Sequence, residues 1–179
     1  MGEIAVSAQS DCELVALGLG SCIGLAMVDW EAGIAGLAHI VLPESRGDGR
    51  HAGKFADLAV PELLARVRSL GARVSRLKVA IAGGARMFAL EGTMDVGSRN
   101  EEAVRGALVD AGVTIAAAHT GGRQGRTLRV HTGRGRVTIR SAGGKPVVLL
   151  AAPAAPSGRP DPSPYPLNMT NAFGLAEGI

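Results

Sequence analysis

The chain has 179 residues and a formal net charge of +3 at pH 7. Hydrophobic residues make up 46% of it and charged residues 20%, a globular composition that excludes a largely disordered protein. No apolar run approaches the roughly 20 residues of a membrane-spanning helix, and no signal peptide is evident. Neither the two cysteines nor the four histidines show metal-binding spacing. We therefore expect a cytoplasmic protein with free thiols, no metal and no cofactor.

The first part of the chain predicts a group of strands. Residues 3–8 alternate apolar and polar side chains, as in a half-buried edge strand. Residues 13–19 are more uniformly apolar, which predicts a strand buried on both faces. Residues 23–30 and 34–42 are two further apolar runs separated by a turn at 31–33, which predicts an antiparallel hairpin.

The rest of the chain predicts two helices and more strands. Residues 54–70 have apolar side chains at helical spacing, with Pro61 expected to kink or restart the helix and Gly71 to end it. Ser98, with Glu101 three residues later, has the pattern of a capping box at the start of a second helix. Short strands are expected at 76–82, 113–118, 126–131, 135–140 and 145–151.

The length and these elements predict one mixed α/β (α+β) domain over residues 1–152. Residues 153–179 have a different composition, in which prolines alternate with Ala, Ser, Gly and Asp. Such a segment lacks the apolar residues needed for a core, so we expect a disordered C-terminal tail.

Arginines are concentrated late in the chain, at Arg123, Arg126, Arg129, Arg134, Arg136 and Arg140. The pattern fits the solvated faces of two strands, or alternatively a surface that binds phosphates or an acidic protein. Aromatic residues are only 3% of the chain, which disfavours stacking on single-stranded nucleic acid. We therefore expect no nucleic-acid partner.

Cys22 and His39 are the residues with the clearest chemical potential. Cys22 ends a break of small residues after an apolar run, and His39 lies in the second strand of the predicted hairpin. Opposed residues in a hairpin have numbers with a constant sum, and any two-residue loop within residues 30–33 makes that sum odd. Cys22 and His39 also have an odd sum, so they share a face, with Cβ atoms about 5–8 Å apart in two of three registers.

A cysteine nucleophile needs a base, which His39 can supply, and donors for the developing oxyanion. Backbone N–H groups at Gly20, Ser21 and Cys22 are candidates for those donors. The alternative is an inert buried cysteine and a histidine that packs in the core. Residues Gly83 and Gly84 either line the cleft by close backbone approach or form a tight strand exit. Likewise, residues 99–100 either support the cleft or begin a helix.

Several motifs occur together in one order. They are LGLGSC at 17–22, AHIVLP at 38–43, KFAD at 54–57, IAGGARMF at 81–88, VGSRN at 96–100 and TGG at 120–122. Their order and spacing resemble the CheD family of chemoreceptor glutamine deamidases. The resemblance covers roughly residues 3–150, and it does not extend to the tail.

This resemblance implies a three-layer α/β/α-like sandwich of mixed strands with two main helices. It implies a hydrolase in which Cys22 is the nucleophile and His39 the base, converting glutamines of chemotaxis receptors to glutamate. Hydrolysis of glutamate methyl esters is a further activity to consider. The implied partners are the receptor cytoplasmic domain, as substrate, and a CheC-type phosphatase.

The sequence departs from the family pattern at two positions. The third member of the family triad is a threonine six residues before the cysteine, and here that residue is Ala16. The acidic residue expected before the TGG motif is replaced by His119. The alternative hypothesis is therefore a catalytically weakened regulator that binds a phosphatase or a receptor.

Overall fold

The structure is a computed structural model that describes residues 1–47, 49–86, 96–132 and 134–153. Its strands are β1 Ile4–Ser7, β2 Glu13–Leu19, β3 Ile23–Asp29, β4 Ile34–Ile40, β5 Lys78–Gly83, β6 Ile115–Thr120, β7 Arg126–His131, β8 Arg136–Ser141 and β9 Val147–Ala151. Its α-helices are α1 Ala56–Ser69 and α2 Val96–Asp110. The predicted tail at 153–179, apart from its first residue, lies outside the described residues, so the proposed domain boundary stays a prediction.

The hairpin of β3 and β4 forms the centre of a five-stranded sheet in the order β1-β4-β3-β5-β6. In this hairpin Gly24 pairs with His39 and Asp29 with Ile34, one of the registers that the sequence allowed. The pairing of β5 with β6 is parallel, and the other pairs in this sheet are antiparallel. A second, antiparallel sheet has the order β2-β7-β8-β9.

Two apolar cores lie on opposite faces of the five-stranded sheet. On one face Ile23, Leu25 and Met27 of β3 pack with buried residues of both helices. On the other face Ala26 and Val28 pack against the second sheet. The mixed α+β class, the three layers and the two main helices are confirmed. The layers are ordered helices, sheet, sheet, so the second outer layer is the four-stranded sheet rather than helical.

The edge position of β1 is confirmed, whereas the expected burial of β2 on both faces is wrong. Val15 and Leu17 on its outer face are 37% and 63% exposed, while Ala16 and Leu19 are buried between the sheets. The reason is that β2 belongs to an outer layer, which has only one neighbouring layer to pack against.

Both helices differ from the sequence prediction in detail. Helix α1 continues through Pro61 without a restart, and it ends before Gly71, which has a φ of 107° as expected. Helix α2 already includes Val96, so Ser98 lies inside the helix and is not its N-cap. Glu101 is not part of a capping box, because its carboxylate accepts hydrogen bonds from Thr120 and Arg105.

A buried carboxylate fixes the far end of the central hairpin. Asp29, at the end of β3, is fully buried, and its Oδ2 accepts bonds from the Arg73 N–H and from two guanidinium nitrogens of Arg76. Its Oδ1 accepts the N–H of Ala32 in the turn. Burial by itself would raise the pKa of Asp29, but these hydrogen bonds lower it below 3.8.

Replacing Asp29 with alanine is expected to lower the free energy of unfolding by about 3 kcal/mol, because a buried, multiply bonded charge is lost. The folded pKa is depressed, so this stabilisation is present above pH 3.8 and is lost as the pH falls through the lower folded value. Urea unfolding of both proteins from pH 3 to 7 measures it. Glu31→Ala is the control, since that exposed carboxylate bonds the same Arg76. Equal destabilisation by both variants would contradict this assignment.

Candidate active site

Cys22 and His39 lie at one end of the hairpin and face the space between the two sheets. Cys22 directly precedes β3, is 8% exposed and belongs to the core between the sheets. His39 pairs with Gly24, and its neighbours Ala38 and Ile40 belong to the core on the helix side. Because side chains alternate along a strand, His39 faces the same side as Cys22.

The register places His39 diagonally across the hairpin from Cys22, a position at which Cβ atoms lie about 7–8 Å apart. The backbone of His39 is fixed by the first strand segment, since its N–H donates to Glu3 and its carbonyl accepts from Gly2. The ring atom Nε2 is buried and has no hydrogen-bond partner. Nε2 and the thiol are therefore not hydrogen-bonded in this structure.

The turn before β3 is tied down by its carbonyl groups. Those of Gly20 and Cys22 accept the N–H groups of Ala85 and Gly84, at 2.7 and 2.9 Å. The carbonyl of Ser21 accepts the side-chain Nδ2 of Asn100 at 3.0 Å. Three consecutive carbonyls are therefore held, so the peptide planes on either side of the thiol have fixed orientations.

The N–H groups of the same turn differ in their availability. The N–H of Gly20 donates to the carbonyl of Gly18 at 2.9 Å, so Gly20 is not a free oxyanion donor in this structure. The N–H of Cys22 lies against its own thiol, where it favours the charged form. Of the predicted donors, Gly20 is therefore engaged, and the N–H of Cys22 lies beside the sulfur; the donor role of Ser21 stays a prediction.

Gly83 and Gly84 form the other side of this turn, where the backbone segments approach closely; that these glycines line a cleft stays a prediction. Gly83 has a φ of 118°, and a Cβ built on it would lie 2.0 Å from the carbonyl oxygen of Cys22. Gly84 approaches Gly97 of α2 closely, since a Cβ on Gly97 would lie 2.6 Å from the Gly84 oxygen. Gly83 and Gly97 need the small residue because backbone atoms fill the space of a side chain, and Gly84 has a φ of 63°, which side chains rarely adopt.

Arg126 binds the backbone at the end of β5 and just after β6, and it was not identified as a site residue from the sequence. It is 7% exposed, and it donates to the carbonyls of Gly83 at 3.0 Å and Gly121 at 2.5 Å. Burial lowers the pKa of Arg126, and the nearby charge of Glu101 opposes that shift. Arg126 is thus a buried structural residue that links two backbone segments, whereas the sequence pattern placed it with the other late arginines on a solvated face or a binding surface.

Asn100 is a second residue whose role the sequence left open. It is completely buried in α2, and its Nδ2 donates both to the Ser21 carbonyl and, at 2.8 Å, to the Val41 carbonyl. Asn100 therefore lies in the first part of α2 and also joins the segments that carry Cys22 and His39; its support of a cleft stays a prediction.

The third position of the expected triad lies on the second sheet and belongs to the same core as Cys22. Ala16 on β2 is 3% exposed, pairs with Leu128 and belongs to the core between the sheets with Cys22. Its methyl group cannot orient an imidazole. His119 on β6 pairs with Ala82 of β5, and its Nδ1 is also buried without a partner.

Burial shifts the two candidate catalytic groups in opposite directions. It raises the pKa of the Cys22 thiol above its ordinary 9.0, against smaller effects of the N-terminal ammonium and the residue's own N–H. It lowers the pKa of His39 below 6.5, helped by the N-terminal ammonium and opposed by Glu3. At neutral pH the pair is therefore a thiol and a neutral imidazole, which can act as a base.

Alkylation of Cys22 by iodoacetamide is therefore expected to be slow at pH 7 and to accelerate through and above pH 9, because only the thiolate reacts. The Cys12→Ala variant leaves Cys22 as the one thiol in the chain, and the rate is followed by mass spectrometry. A rate that is already maximal at pH 7 would instead indicate a thiolate–imidazolium pair.

No group of three or more His, Cys, Asp or Glu side chains suited to a metal ion occurs among the described residues. Both cysteines are free thiols. No helix within the described part of the chain is long and apolar enough to span a membrane.

The site thus places a free cysteine and a histidine on one face of the hairpin, beside a turn whose three carbonyls are all hydrogen-bonded. The family model described as CheD chemotactic sensory transduction matches residues 41–141. The chain belongs to the CheD family.

Similar proteins match most of the chain. It is 41% identical over 144 residues to the chemoreceptor glutamine deamidase CheD of Thermotoga maritima, which covers 80% of this chain and 90% of that protein. It is 44% identical over 149 residues to a probable chemoreceptor glutamine deamidase CheD of Symbiobacterium thermophilum, with the same coverage. A probable CheD of Methanococcus vannielii is 44% identical over 142 residues, or 78% of this chain and 91% of that protein.

Proposed function

We propose that this protein is a protein-glutamine glutaminase that deamidates glutamine side chains of chemotaxis receptors, with Cys22 as nucleophile and His39 as base. The observation that carries the proposal is the placement of both residues on one face at the same end of the hairpin. The names of the relatives, which are 41–44% identical, supply the reaction and the substrate class. Two free thiols are consistent with a cytoplasmic location.

The proposed reaction is acyl transfer through a thioester. His39 takes the proton of the Cys22 thiol as the sulfur attacks the carboxamide carbon of the glutamine, and the oxyanion forms beside the Cys22 N–H. His39 then returns the proton to the departing ammonia. A water molecule, deprotonated by His39, attacks the thioester, so that glutamate and the Cys22 thiol are released. A glutamate methyl ester would give the same thioester with methanol as leaving group.

The alternative function is a regulator with weakened catalysis, and two observations favour it. Ala16 has no hydrogen-bonding side chain, and the buried Nε2 of His39 has no partner. An unoriented imidazole is a poorer base, because the correct ring position is only one of several. In that case the same surface would serve to bind a receptor or a CheC-type phosphatase.

The outer face of the second sheet is a candidate docking surface for acidic receptor helices in either case. Arg129 on that face is already paired with Glu13 at 2.9 Å, whereas Arg136 and Arg140 on β8 are exposed. Exposed cations attract an acidic partner and speed its association at low salt.

The test is incubation of the purified protein with a receptor cytoplasmic fragment, followed by peptide mass spectrometry for conversion of glutamine to glutamate. Conversion by the wild-type protein, lost in His39→Ala, is the expected result. No conversion by the wild type, together with conversion by Ala16→Thr, would favour the regulator. No conversion by either protein, on a fragment that an established deamidase modifies, would reject the proposed activity.

A further inference from the structure

The two chain segments that carry Cys22 and His39 are joined by one side chain. Asn100 donates through Nδ2 to the carbonyl of Ser21, which precedes Cys22, and to that of Val41, two residues after His39. We propose that Asn100 is a positioning residue, which turns the Ser21–Cys22 peptide so that the Cys22 N–H faces the oxyanion of the acyl-transfer intermediate. This inference rests on the proposed function.

The geometry of the Ser21–Cys22 peptide group sets the direction of the Cys22 N–H. In a planar trans peptide the C=O and the N–H point in opposite directions. The Ser21 carbonyl points at Asn100 in the helix layer, so the Cys22 N–H points away from that layer, towards the side on which the thiol lies. The contact of this N–H with its own sulfur is consistent with that direction.

The position of the N–H suits the chemistry of the intermediate. When the sulfur bonds to the substrate carbonyl carbon, the oxyanion is only one bond further away, so a donor beside the sulfur is within reach. The carbonyls of Gly20 and Cys22 are held by the backbone N–H groups of Ala85 and Gly84. The intervening Ser21 carbonyl is held by the side chain of Asn100. This is therefore the one of the three hydrogen bonds that a side-chain substitution can remove.

The amide of Asn100 suits this task chemically. Two carbonyl oxygens converge on one nitrogen, so the group facing them has to be a double donor, and an uncharged amide provides two N–H bonds from a single atom. An aspartate has the same shape, but its carboxylate oxygen is an acceptor and would face two carbonyl oxygens, which are also acceptors. The other amide atom, Oδ1, is buried without a partner, so the contacts that hold this residue in place are those of its donors.

The experiment compares Asn100→Ala and Asn100→Ser with the control Val104→Ala. Val104 is fully buried in the same helix and packs in the core on the helix side, so its truncation destabilises α2 without touching Ser21 or Val41. We expect Asn100→Ala to lower kcat for deamidation of a receptor fragment about 100-fold, with KM changed less than about threefold. Asn100→Ser, which keeps one donor, should recover part of kcat, and Val104→Ala should lose little.

A second measurement does not depend on the receptor. Alkylation of Cys22 by iodoacetamide at pH 8 should be several-fold slower in Asn100→Ala, because a turned peptide withdraws the N–H that favours the thiolate. If the wild type deamidates nothing but this alkylation still slows relative to Val104→Ala, the proposed function fails and the positioning role stands. Equal kcat and equal alkylation rates in Asn100→Ala and Val104→Ala would overturn it. If Asn100→Ala does not fold, Asn100→Ser decides the question in the same two assays.

Discussion

Replacing Cys22 with alanine is expected to lower kcat/KM for receptor deamidation by about 10⁴-fold or more. No other described cysteine is close to His39 along the hairpin, and losing the nucleophile of a covalent mechanism removes the whole pathway, as it does in serine hydrolases. The folded state should survive, since Cys22 is a small residue whose carbonyl, not its side chain, makes the contacts that anchor the turn. The assay is the rate of glutamate formation by mass spectrometry, with thermal unfolding as a check.

The matched control for this variant is Cys12→Ala. Cys12 is partly buried near the start of β2, where its backbone N–H and carbonyl bond to Thr132. Its thiol has no part in the proposed chemistry, so activity should stay within about twofold of wild type, inside the usual range of a surface-like substitution. A Cys22→Ala protein with more than one-tenth of wild-type activity would mean that another group is the nucleophile.

The hairpin and its reactive face could be predicted from the sequence, because both depend on short-range rules. Side chains alternate with period two, so residues 22 and 39 share a face in every register that a short turn allows. The observed register, with Gly24 opposite His39, is one of them. A prediction of this kind does not need to know what the sheet packs against.

The order of the layers could not be predicted, because it depends on which faces of distant elements pair. The uniformly apolar pattern of β2 fits a central strand as well as an edge strand of an outer sheet. Only the pairing of Ala16 with Leu128 shows that one face of β2 points inward and that Leu17 is left exposed. Hydrophobicity indicates what can be buried but not whether a second layer exists to bury it.

Arg126 and Asn100 illustrate the same limit within the site. Arg126 lies on the same inward face of β7 as Leu128 and Val130, and the alternation that places it there can be seen in the sequence. What the sequence does not contain is the reason for a buried cation, namely the carbonyls of Gly83 and Gly121, which other strands bring to it. Polar side chains that bind backbone groups of distant segments leave no local pattern.

Replacing Gly83 with alanine is the second prediction with a large expected effect. Its added Cβ would lie 2.0 Å from the Cys22 carbonyl oxygen, and its φ of 118° is one that side chains rarely adopt. Backbone atoms cannot rotate away as a side chain can, so either the segment at Gly83 and Gly84 or the turn at residues 20–22 has to move. We expect the free energy of unfolding to fall by about 3 kcal/mol or more, and Tm by roughly 6–12 °C.

The same displacement should reduce catalysis even where the protein is fully folded. The Cys22 carbonyl accepts the Gly84 N–H, so moving it turns the thiol and the neighbouring N–H away from His39. A shift of about 1 Å at a reacting group lowers a rate by about 100-fold, and kcat measured well below Tm should show a loss of that order. Thermal unfolding and deamidation kinetics therefore report two consequences of one steric contact.

Gly106→Ala separates this contact from the general effect of adding a methyl group. Gly106 lies in α2 with open space where its Cβ would be, so alanine there should raise the free energy of unfolding by about 0.5–1 kcal/mol and leave kcat unchanged. If Gly83→Ala behaved like Gly106→Ala, the turn that carries Cys22 would have to be adaptable. The peptide orientations at Cys22 would then not be fixed, because a turn that yields to a methyl group would also yield to the substrate. Both the proposed oxyanion donor and the proposed role of Asn100 depend on those fixed orientations.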